Sequence, residues 1–164
     1  MYRVGILTVS DGVSLGVRKD LSGQVIHDIV TQKGYETARR AVVPDDEERI
    51  AAILKEWADE DKLALVLTTG GTGVGPRDVT PEATLSVIER LVPGLPEVMR
   101  SESLKKTPMG MLSRQVAGIR GRCLIINLPG SPKAVQECLE AITDTVPHAL
   151  ELLSGEFTTH TPPQ

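Results

Sequence analysis

Three short runs of mostly apolar residues limit the folds open to this chain more than any other feature of its sequence. They cover residues 4–9, 63–67 and 123–128, and they lack the regular apolar–polar alternation of a half-exposed strand. Runs of this kind are typical of strands that are covered on both faces, as in a parallel sheet. A weaker run at residues 35–43 is a candidate edge strand.

Segments with helical periodicity separate the apolar runs. Two of them carry apolar residues at i, i+3, i+4 and i+7: Ile50, Ile53, Leu54 and Trp57 in one, and Val135, Cys138, Leu139 and Ile142 in the other. This spacing places the apolar side chains on one face of a helix. The alternation of strand and helix predicts an α/β fold: a three-layer α/β/α sandwich with a mostly parallel, doubly wound sheet.

Capping residues indicate where these helices begin. Asp45, with Glu48 three residues later, predicts a helix that starts near Asp46 with Asp45 as its cap. Ser131 before Pro132 supplies an N-cap followed by proline at the first helical position.

The other helix boundaries follow from the same signals. Thr80 before Pro81 predicts a helix that runs to about Val92. Its inward-facing residues would be Leu85, Ile88 and Leu91. Asp20 is a helix start, and Pro147 should kink or break the last helix.

Length and composition favour one domain. The chain has 164 residues, of which 40% are hydrophobic, and that is enough to build a core without disulfides. We expect a single domain over residues 1–155 and a polar tail over residues 156–164.

Charge and aromatic content exclude several classes of protein. The 18 basic residues are outnumbered by 22 acidic ones, and only 2% of the chain is aromatic. Nucleic-acid binding needs a basic face, and single-strand binding also needs stacking rings. No apolar run is long enough to span a membrane, and two cysteines make no disulfide framework. We expect a cytoplasmic protein that binds neither nucleic acid nor membranes.

Polar or glycine-rich residues follow each of the three apolar runs. Ser10 and Asp11 follow the first run, residues 69–73 the second and residues 127–131 the third. Ligands of open α/β sheets bind beyond the carboxyl ends of the strands, so these segments are expected to share one crevice.

The middle segment is rich in glycine. Gly70, Gly71, Gly73 and Gly75 fall within six positions, and a predicted helix begins soon afterwards. Glycines let backbone amides approach an anion closely, and a helix N-terminus favours negative charge. The segment therefore predicts a phosphate-binding loop, to which the hydroxyls of Thr69 and Thr72 could donate. The alternative is a turn that only connects strand to helix.

Asp78 is unusual because a carboxylate beside a phosphate site repels the ligand unless a cation lies between them. This makes it a candidate Mg²⁺ ligand. The alternatives are an ion pair with Arg77 or an Asx turn that fixes the loop.

Asp45 could serve only as a helix cap, although its position would also direct it at the crevice. Ser113 and Arg114 could bind a second anion, although an ordinary surface pair is the favoured interpretation. No histidine forms a recognisable catalytic triad.

Together these motifs resemble the MogA family, the molybdopterin adenylyltransferases of molybdenum-cofactor biosynthesis, which are similar to the G domains of plant Cnx and of gephyrin. The resemblance covers about residues 2–153. Its motifs lie at residues 8–11, 20–23, 43–45, 69–73, 77–83, 93–95, 112–114, 117–118 and 127–132.

The resemblance implies site residues and ligands. It implies that Asp78 and Asp45 are catalytic and that Asp78 holds Mg²⁺. The residues expected to contact nucleotide or pterin, including the strand-end residues named above, are Ser10, Asp11, Thr69, Gly70, Gly71, Thr72, Gly73, Ser113, Asn127, Pro129, Gly130 and Ser131.

The activity implied is transfer of AMP from ATP to the terminal phosphate of molybdopterin, with release of pyrophosphate. A homotrimer and a molybdopterin molybdotransferase that receives the product are implied as partners. Two alternatives stay open. One is a non-catalytic pterin- or nucleotide-binding module like MoaB, and the other is a nucleotide pyrophosphatase related to CinA-type proteins.

Overall fold

The three apolar runs form the centre of a six-stranded sheet in the computed structural model, which describes residues 1–156. The strands are Arg3–Val9 (β1), Glu36–Val43 (β2), Leu65–Thr69 (β3), Arg90–Leu91 (β4), Ala117–Arg120 (β5) and Cys123–Leu128 (β6). The helices are Asp11–Ser14 (α1), Leu21–Gln32 (α2), Glu47–Asp59 (α3), Thr80–Val87 (α4), Gly94–Leu104 (α5), Pro132–Ile142 (α6) and Val146–Ser154 (α7), with a 3₁₀ turn at Pro108–Leu112.

The strand order is β2-β1-β3-β6-β5-β4. The pairs from β2 to β6 are parallel, whereas β5 pairs antiparallel with both β6 and β4. The predicted fold class, an α/β fold with a mostly parallel sheet, is therefore confirmed, and residues 36–43 form the edge strand expected there.

Burial on both faces explains the unbroken apolar runs. Ile6 belongs to the core packed by α2, α5, α6 and α7, whereas its neighbour Leu7 belongs to the core packed by α3 and α4. Leu124 and Ile125 divide in the same way on β6. Because successive side chains of a strand point to opposite faces, both faces of such a strand are buried and most of its positions are apolar.

Several predicted boundaries are confirmed. Ser131 caps α6 by accepting a hydrogen bond from the Ala134 amide at 3.2 Å, and Asp20 caps α2. A break precedes Pro147, because α6 ends at Ile142 and α7 begins at Val146. The expected tail at residues 156–164 lies outside the described residues except for its first residue.

The prediction for α4 was wrong at both ends. Thr80 is the first residue of the helix rather than its cap. The helix stops at Val87, because the amide of Glu89 bonds to the Ile119 carbonyl at 2.8 Å and the chain continues into β4. The expected inward residues Leu85 and Leu91 are exposed, and only Ile88 packs against the core.

The elements around residues 90–120 were not predicted at all. β4, β5, α5 and the 3₁₀ turn carry neither long apolar runs nor strong helix signals. Both cysteines are free and buried, and none of the helices among residues 1–156 is long and apolar enough to cross a membrane.

Gly5 provides a test of the packing between β1 and α3. A β-carbon at this position would lie 2.5 Å from Trp57 Cε3 and 2.8 Å from Leu63 Cδ1. Overpacking a core of this kind costs about 1–3 kcal/mol. We therefore expect Gly5→Ala to lower the free energy of unfolding by that amount in urea titrations. Gly94→Ala is the control, because a β-carbon there would have no other atom within 4 Å. Equal urea midpoints for the two variants would contradict the packing described.

Candidate active site

The loops that follow β1, β3 and β6 meet at the carboxyl edge of the sheet. The amide of Gly70 donates to the Leu128 carbonyl at 3.2 Å, and the hydroxyl of Thr69 donates to the Pro129 carbonyl at 2.7 Å. Gly130 also lies close to Gly70, because a β-carbon added to Gly130 would be 3.5 Å from the Cα of Gly70. The crevice expected at the strand ends is thus built from the three predicted segments.

Two residues of the glycine loop have conformations that favour glycine. Gly70 has a φ of 94° and Gly71 a φ of 69°, both in the left-handed region. A β-carbon on Gly70 would overlap the carbonyl oxygen of Val9, and one on Gly71 would overlap the hydroxyl of Thr80. The loop therefore packs too closely against its neighbours for any residue but glycine.

Thr80 joins the glycine loop to the start of α4. Its hydroxyl donates to the Gly70 carbonyl at 2.9 Å, and its amide donates to the Gly71 carbonyl at 3.1 Å. The first turn of α4 is thereby fixed against the loop. This use of the hydroxyl explains why Thr80 does not cap the helix.

Two cavities open on either side of this loop, and they share Gly71, Asp78 and Gly130. The first is about 500 Å³. Its predicted site residues are Ser10, Asp45, Thr69, Gly70, Gly71, Asp78, Gly130 and Ser131. The second is about 520 Å³. Its predicted site residues are Gly71, Thr72, Gly73, Asp78, Ser113, Pro129 and Gly130.

Asp78 lies where the two cavities meet. One carboxylate oxygen, Oδ2, accepts a hydrogen bond from the Gly75 amide at 2.9 Å, so Asp78 does fix the loop, but through an earlier residue rather than through the Asx turn considered above. Oδ1 has no hydrogen bond from residues 1–156. The predicted ion pair with Arg77 is wrong, because Arg77 bonds Asp11 through Nε at 2.6 Å and Nη2 at 3.0 Å.

Asp45 and Asp11 bind each other reciprocally. The Asp11 amide donates to Asp45 Oδ2 and the Asp45 amide donates to Asp11 Oδ1, each at 3.0 Å. Asp45 is not the helix cap that its sequence position suggested, since Asp46 caps α3 by accepting from the Arg49 amide. Asp11 is occupied by these contacts and by Arg77, and it lines neither cavity.

The two carboxylates have opposite electrostatic environments. Partial burial raises the pKa of Asp45, and the negative charges of Asp11 and Asp78 raise it further. Hydrogen bonding to Arg77 lowers the pKa of Asp11. The positive charge of Arg77 acts in the opposite direction on Asp45 but does not cancel these effects, so the first cavity holds an acid whose carboxylate forms no ion pair among residues 1–156.

The donor set of the first cavity fits a hard divalent cation only with help from a ligand. Residues 1–156 contain no cluster of three or more His, Cys, Asp or Glu side chains that could hold a metal ion. Asp45 and Asp78 supply two carboxylates beside the glycine loop. Mg²⁺ commonly takes one or two carboxylates and completes its shell with water and phosphate oxygens.

Arg114 holds the glycine loop in place. Its Nε donates to the Gly73 carbonyl at 2.7 Å, its Nη2 donates to the Asp78 carbonyl at 2.7 Å, and it pairs with Glu82 of α4. The Arg114 amide also bonds the Thr72 carbonyl at 2.8 Å. These partners occupy the guanidinium, which argues against the second anion site considered for Arg114 and agrees with the favoured interpretation that the residue binds no anion. Ser113, next to it, does line the second cavity.

Asn127 lies in the core, contrary to the prediction that it contacts a ligand. Its side chain is fully buried. Its amide nitrogen donates to the hydroxyls of Thr68 at 3.0 Å and Thr84 at 2.9 Å, and its oxygen accepts from the Val116 amide. Thr69 is also limited, because its hydroxyl hydrogen is already donated to Pro129.

Sequence reasoning missed several side chains that line the cavities, and three of them are polar groups of interest. Arg18 and Lys19 line the first cavity, and Gln115 lines the second. The only sequence signal for the basic pair is its position directly before Asp20, which caps α2 and accepts a hydrogen bond from Thr8 at 2.9 Å. Nothing near Gln115 in the sequence distinguishes it.

Comparison with known proteins shows the family. The family described as "Probable molybdopterin binding domain" matches residues 5–148. The chain belongs to this molybdopterin-binding domain family. The family resemblance inferred from the sequence is therefore confirmed.

Relatives of this molybdopterin-binding domain match it over almost the whole chain. The Molybdopterin adenylyltransferase of Helicobacter pylori strain J99 is 44% identical over 94% of this chain and 89% of its own length. The Molybdopterin adenylyltransferase of Escherichia coli K12 is 41% identical over 94% of this chain and 87% of its own length.

Solved structures share the fold. The molybdopterin biosynthesis enzyme MoaB from Thermus thermophilus is 52% identical, with a TM-score of 0.90 over 95% of this chain and 98% of its own. A MogA structure is 38% identical, with a TM-score of 0.87, and the match covers 92% of this chain and 99% of the MogA chain. Similar relatives thus include proteins under both the MogA and the MoaB names.

The contacts of Arg114 predict how the glycine loop responds to mutation. Removing the guanidinium in Arg114→Met deletes the hydrogen bonds to Gly73, Asp78 and Glu82. We expect backbone amides of residues 72–78 to exchange hydrogen for deuterium at least about 10-fold faster, because exposure of a loop follows its local opening free energy. Arg114→Lys should not restore protection, since one ammonium cannot reproduce a planar fork. Arg49→Met, at an exposed arginine of α3, is the control. Unchanged exchange in Arg114→Met would contradict this role.

Proposed function

We propose that this protein is a molybdopterin adenylyltransferase of molybdenum-cofactor biosynthesis. In the reaction, an oxygen of the terminal phosphate of molybdopterin attacks the α-phosphorus of ATP. A new P–O bond forms, the bond between the α-phosphorus and the bridging oxygen breaks, and pyrophosphate leaves with its electron pair. The names of the H. pylori and E. coli relatives support this activity.

The observation that carries the proposal is the pair of cavities that meet at Asp78. Two substrates must bring their phosphates together, and each cavity is large enough for one of them. The shared wall of Gly71, Asp78 and Gly130 is where the two phosphate groups would meet. Holding both reactants in one geometry removes much of the entropic barrier of a bimolecular step.

Charge favours ATP in the first cavity and the pterin in the second. Arg18 and Lys19 line the first cavity, so the more highly charged triphosphate is attracted there. The second cavity has no basic lining residue among those described, and it includes the acid Glu137. A pterin ring carries no charge of its own and is better suited to that environment.

Asp45 and Asp78 are the proposed catalytic acids, and both would hold Mg²⁺ together with oxygens of the triphosphate. When bound, that ion neutralises charge on the α-phosphate and the leaving pyrophosphate. Partial burial is the main cause of the raised pKa of Asp45, and repulsion from Asp11 and Asp78 adds to it; a cation in the cavity would relieve that repulsion. Asp78 is fixed by the Gly75 amide and has its remaining oxygen available for the ligand.

The glycine loop and α4 would act on the phosphates through the backbone. The loop is held in place by Arg114 and Thr80, so its amides need no rearrangement when substrate binds. The attacking group is already a phosphate oxygen, and no side-chain nucleophile is needed. Consistent with this, burial raises the pKa of Cys123 to about 12 and also raises that of Cys138, so neither thiol is activated.

Asp78→Asn tests the catalytic proposal. The substitution removes a charge but keeps an oxygen for the Gly75 amide, so the fold should persist. We expect pyrophosphate release from ATP, Mg²⁺ and molybdopterin to fall at least about 100-fold, the usual effect of losing one preorganised electrostatic group. Asp46→Asn is the matched control, because Asp46 is exposed, caps α3 and lines neither cavity. Near-normal turnover by Asp78→Asn would overturn the assignment.

The same assay separates the alternatives. Ligand binding without pyrophosphate release by the wild type would indicate a non-catalytic binding module, an outcome that the 52% identity to a MoaB protein makes worth testing. Hydrolysis of ATP in the absence of molybdopterin would indicate a pyrophosphatase. The likeness to CinA from Thermoplasma acidophilum, at 20% identity, concerns the fold alone.

A homotrimer in the cytoplasm, passing its product to a molybdopterin molybdotransferase, completes the proposal. Support for self-association comes from exposed apolar side chains on β4, α5 and the 3₁₀ turn. These are Leu91, Val98, Leu104, Met109, Met111 and Leu112. Two free buried thiols agree with a reducing compartment.

Light scattering after size-exclusion chromatography tests the trimer. We expect a mass three times the 17.7 kDa of one chain. Met111→Glu should lower that mass, because a charge inside an apolar contact is costly to bury. Lys33→Glu, at an exposed position that ends α2, is the control. A single-chain mass for the wild type would rule the trimer out.

A further inference from the structure

We infer that Gln115 selects the heterocycle bound in the second cavity by accepting a hydrogen bond from its exocyclic amino group. This inference rests on the proposed function, because it uses the assignment of the pterin to that cavity. It assigns Gln115 as a specificity-determining residue.

The observation behind the inference is an unsatisfied acceptor. Gln115 is only 2% exposed and lines the second cavity. Its side-chain oxygen, Oε1, is buried without a hydrogen-bond partner among residues 1–156. A buried amide oxygen without a partner is costly, and buried polar side chains in folded proteins nearly always have one. A donor supplied by the ligand would remove that cost.

The neighbours of Gln115 leave its side-chain oxygen, Oε1, without a hydrogen-bond partner among residues 1–156. The backbone carbonyl of Gln115 accepts from Arg100 Nη1 at 3.0 Å, which fixes the main chain. Burial raises the pKa of the Cys138 thiol, which lines the same cavity as Gln115. Ser103 contacts the same sulfur at 3.9 Å. The Oε1 atom of Gln115 has no hydrogen bond from residues 1–156, so a donor on a ligand would be its partner.

An acceptor in this position recognises an amine and rejects a carbonyl. Both candidate rings, the pterin and the adenine of ATP, carry an exocyclic amine on a fused pyrimidine ring. Replacing that amine by a carbonyl oxygen places two acceptors face to face. Sites built around a buried hydrogen-bonding group discriminate strongly against analogues that cannot pair with it. The charge distribution described above favours the pterin as the ring that Gln115 contacts.

Matched pairs of ligands test the inference without turnover. Pterin and lumazine differ by an amine-to-oxo change at position 2 of the ring, and ATP and ITP differ by the same change at position 6. We expect fluorescence and calorimetric titrations of the wild type to show pterin binding at least about 10-fold more tightly than lumazine, the ratio of one lost hydrogen bond to a buried group. Gln115→Met should abolish that preference and leave the ATP-to-ITP ratio unchanged.

Two further variants make the result specific. Gln136→Met is the control for the chemical change, because Gln136 is exposed on α6 and lies outside both cavities. Gln115→Glu keeps an oxygen at the Oε1 position, so it should retain the preference for pterin. It also gives a second measurement if Gln115→Met proves too unstable to titrate, as judged by its thermal midpoint.

Each outcome decides the inference. Loss of the ATP-to-ITP preference in Gln115→Met would show that the residue reads adenine, and it would overturn the pterin assignment. Equal binding of pterin and lumazine by the wild type, or an unchanged ratio in Gln115→Met, would overturn the role of Gln115 altogether. Pyrophosphate release by the wild type is measured separately. Its absence would refute the proposed transferase while leaving the binding ratios to judge Gln115.

Discussion

The close contact between the glycine loop and the neighbouring strand end is the constraint on which the site depends. Gly70 lies against the Val9 carbonyl with a left-handed φ, and Thr80 and Arg114 hold the loop on its other sides. Because backbone atoms touch there, no larger residue fits. This contact joins the ends of β1 and β3, and the bonds of Gly70 and Thr69 to Leu128 and Pro129 add the end of β6. The next residue of the loop, Gly71, lies on the wall that the two cavities share. The conformation of the glycine loop therefore also determines the shape of the ligand site.

The second property on which the site depends is the placement of its acidic and basic side chains. Asp45 and Asp78 lie in the first cavity, and their carboxylates form no ion pair among residues 1–156. The arginines nearby are paired elsewhere, Arg77 with Asp11 and Arg114 with Glu82. Among the described residues, Arg18 and Lys19 are the basic side chains that line the first cavity. A protein that joins two phosphate-bearing substrates needs such an arrangement, because repulsion between the substrates has to be offset by a cation and by fixed dipoles rather than by mobile side chains.

Polar residues of the region divide into those that are free to contact ligands and those that support them, and residue type did not tell them apart. Asn127, Thr69, Asp11 and Arg114 all have chemistry suited to phosphate, yet each is used inside the protein. Gln115 has an ordinary sequence context, yet its oxygen is unpaired beside a cavity. Hydrogen-bonding capacity is a property of a residue, whereas its availability depends on neighbours that are distant in the chain.

The layers of the fold, the order of strand and helix up to α4 except for the short α1, the glycine loop and the position of Asp78 could all be predicted from the order of the amino acids. Those features arise from apolar runs, local caps and backbone conformation, which depend on nearby residues. The antiparallel β4–β5 edge, the end of α4, the use of Asp45 by Asp11 and the two cavities emerged only once the chain was folded. Each of these rests on contacts between segments far apart in the chain, and no local pattern encodes which partner a backbone or side-chain group will find.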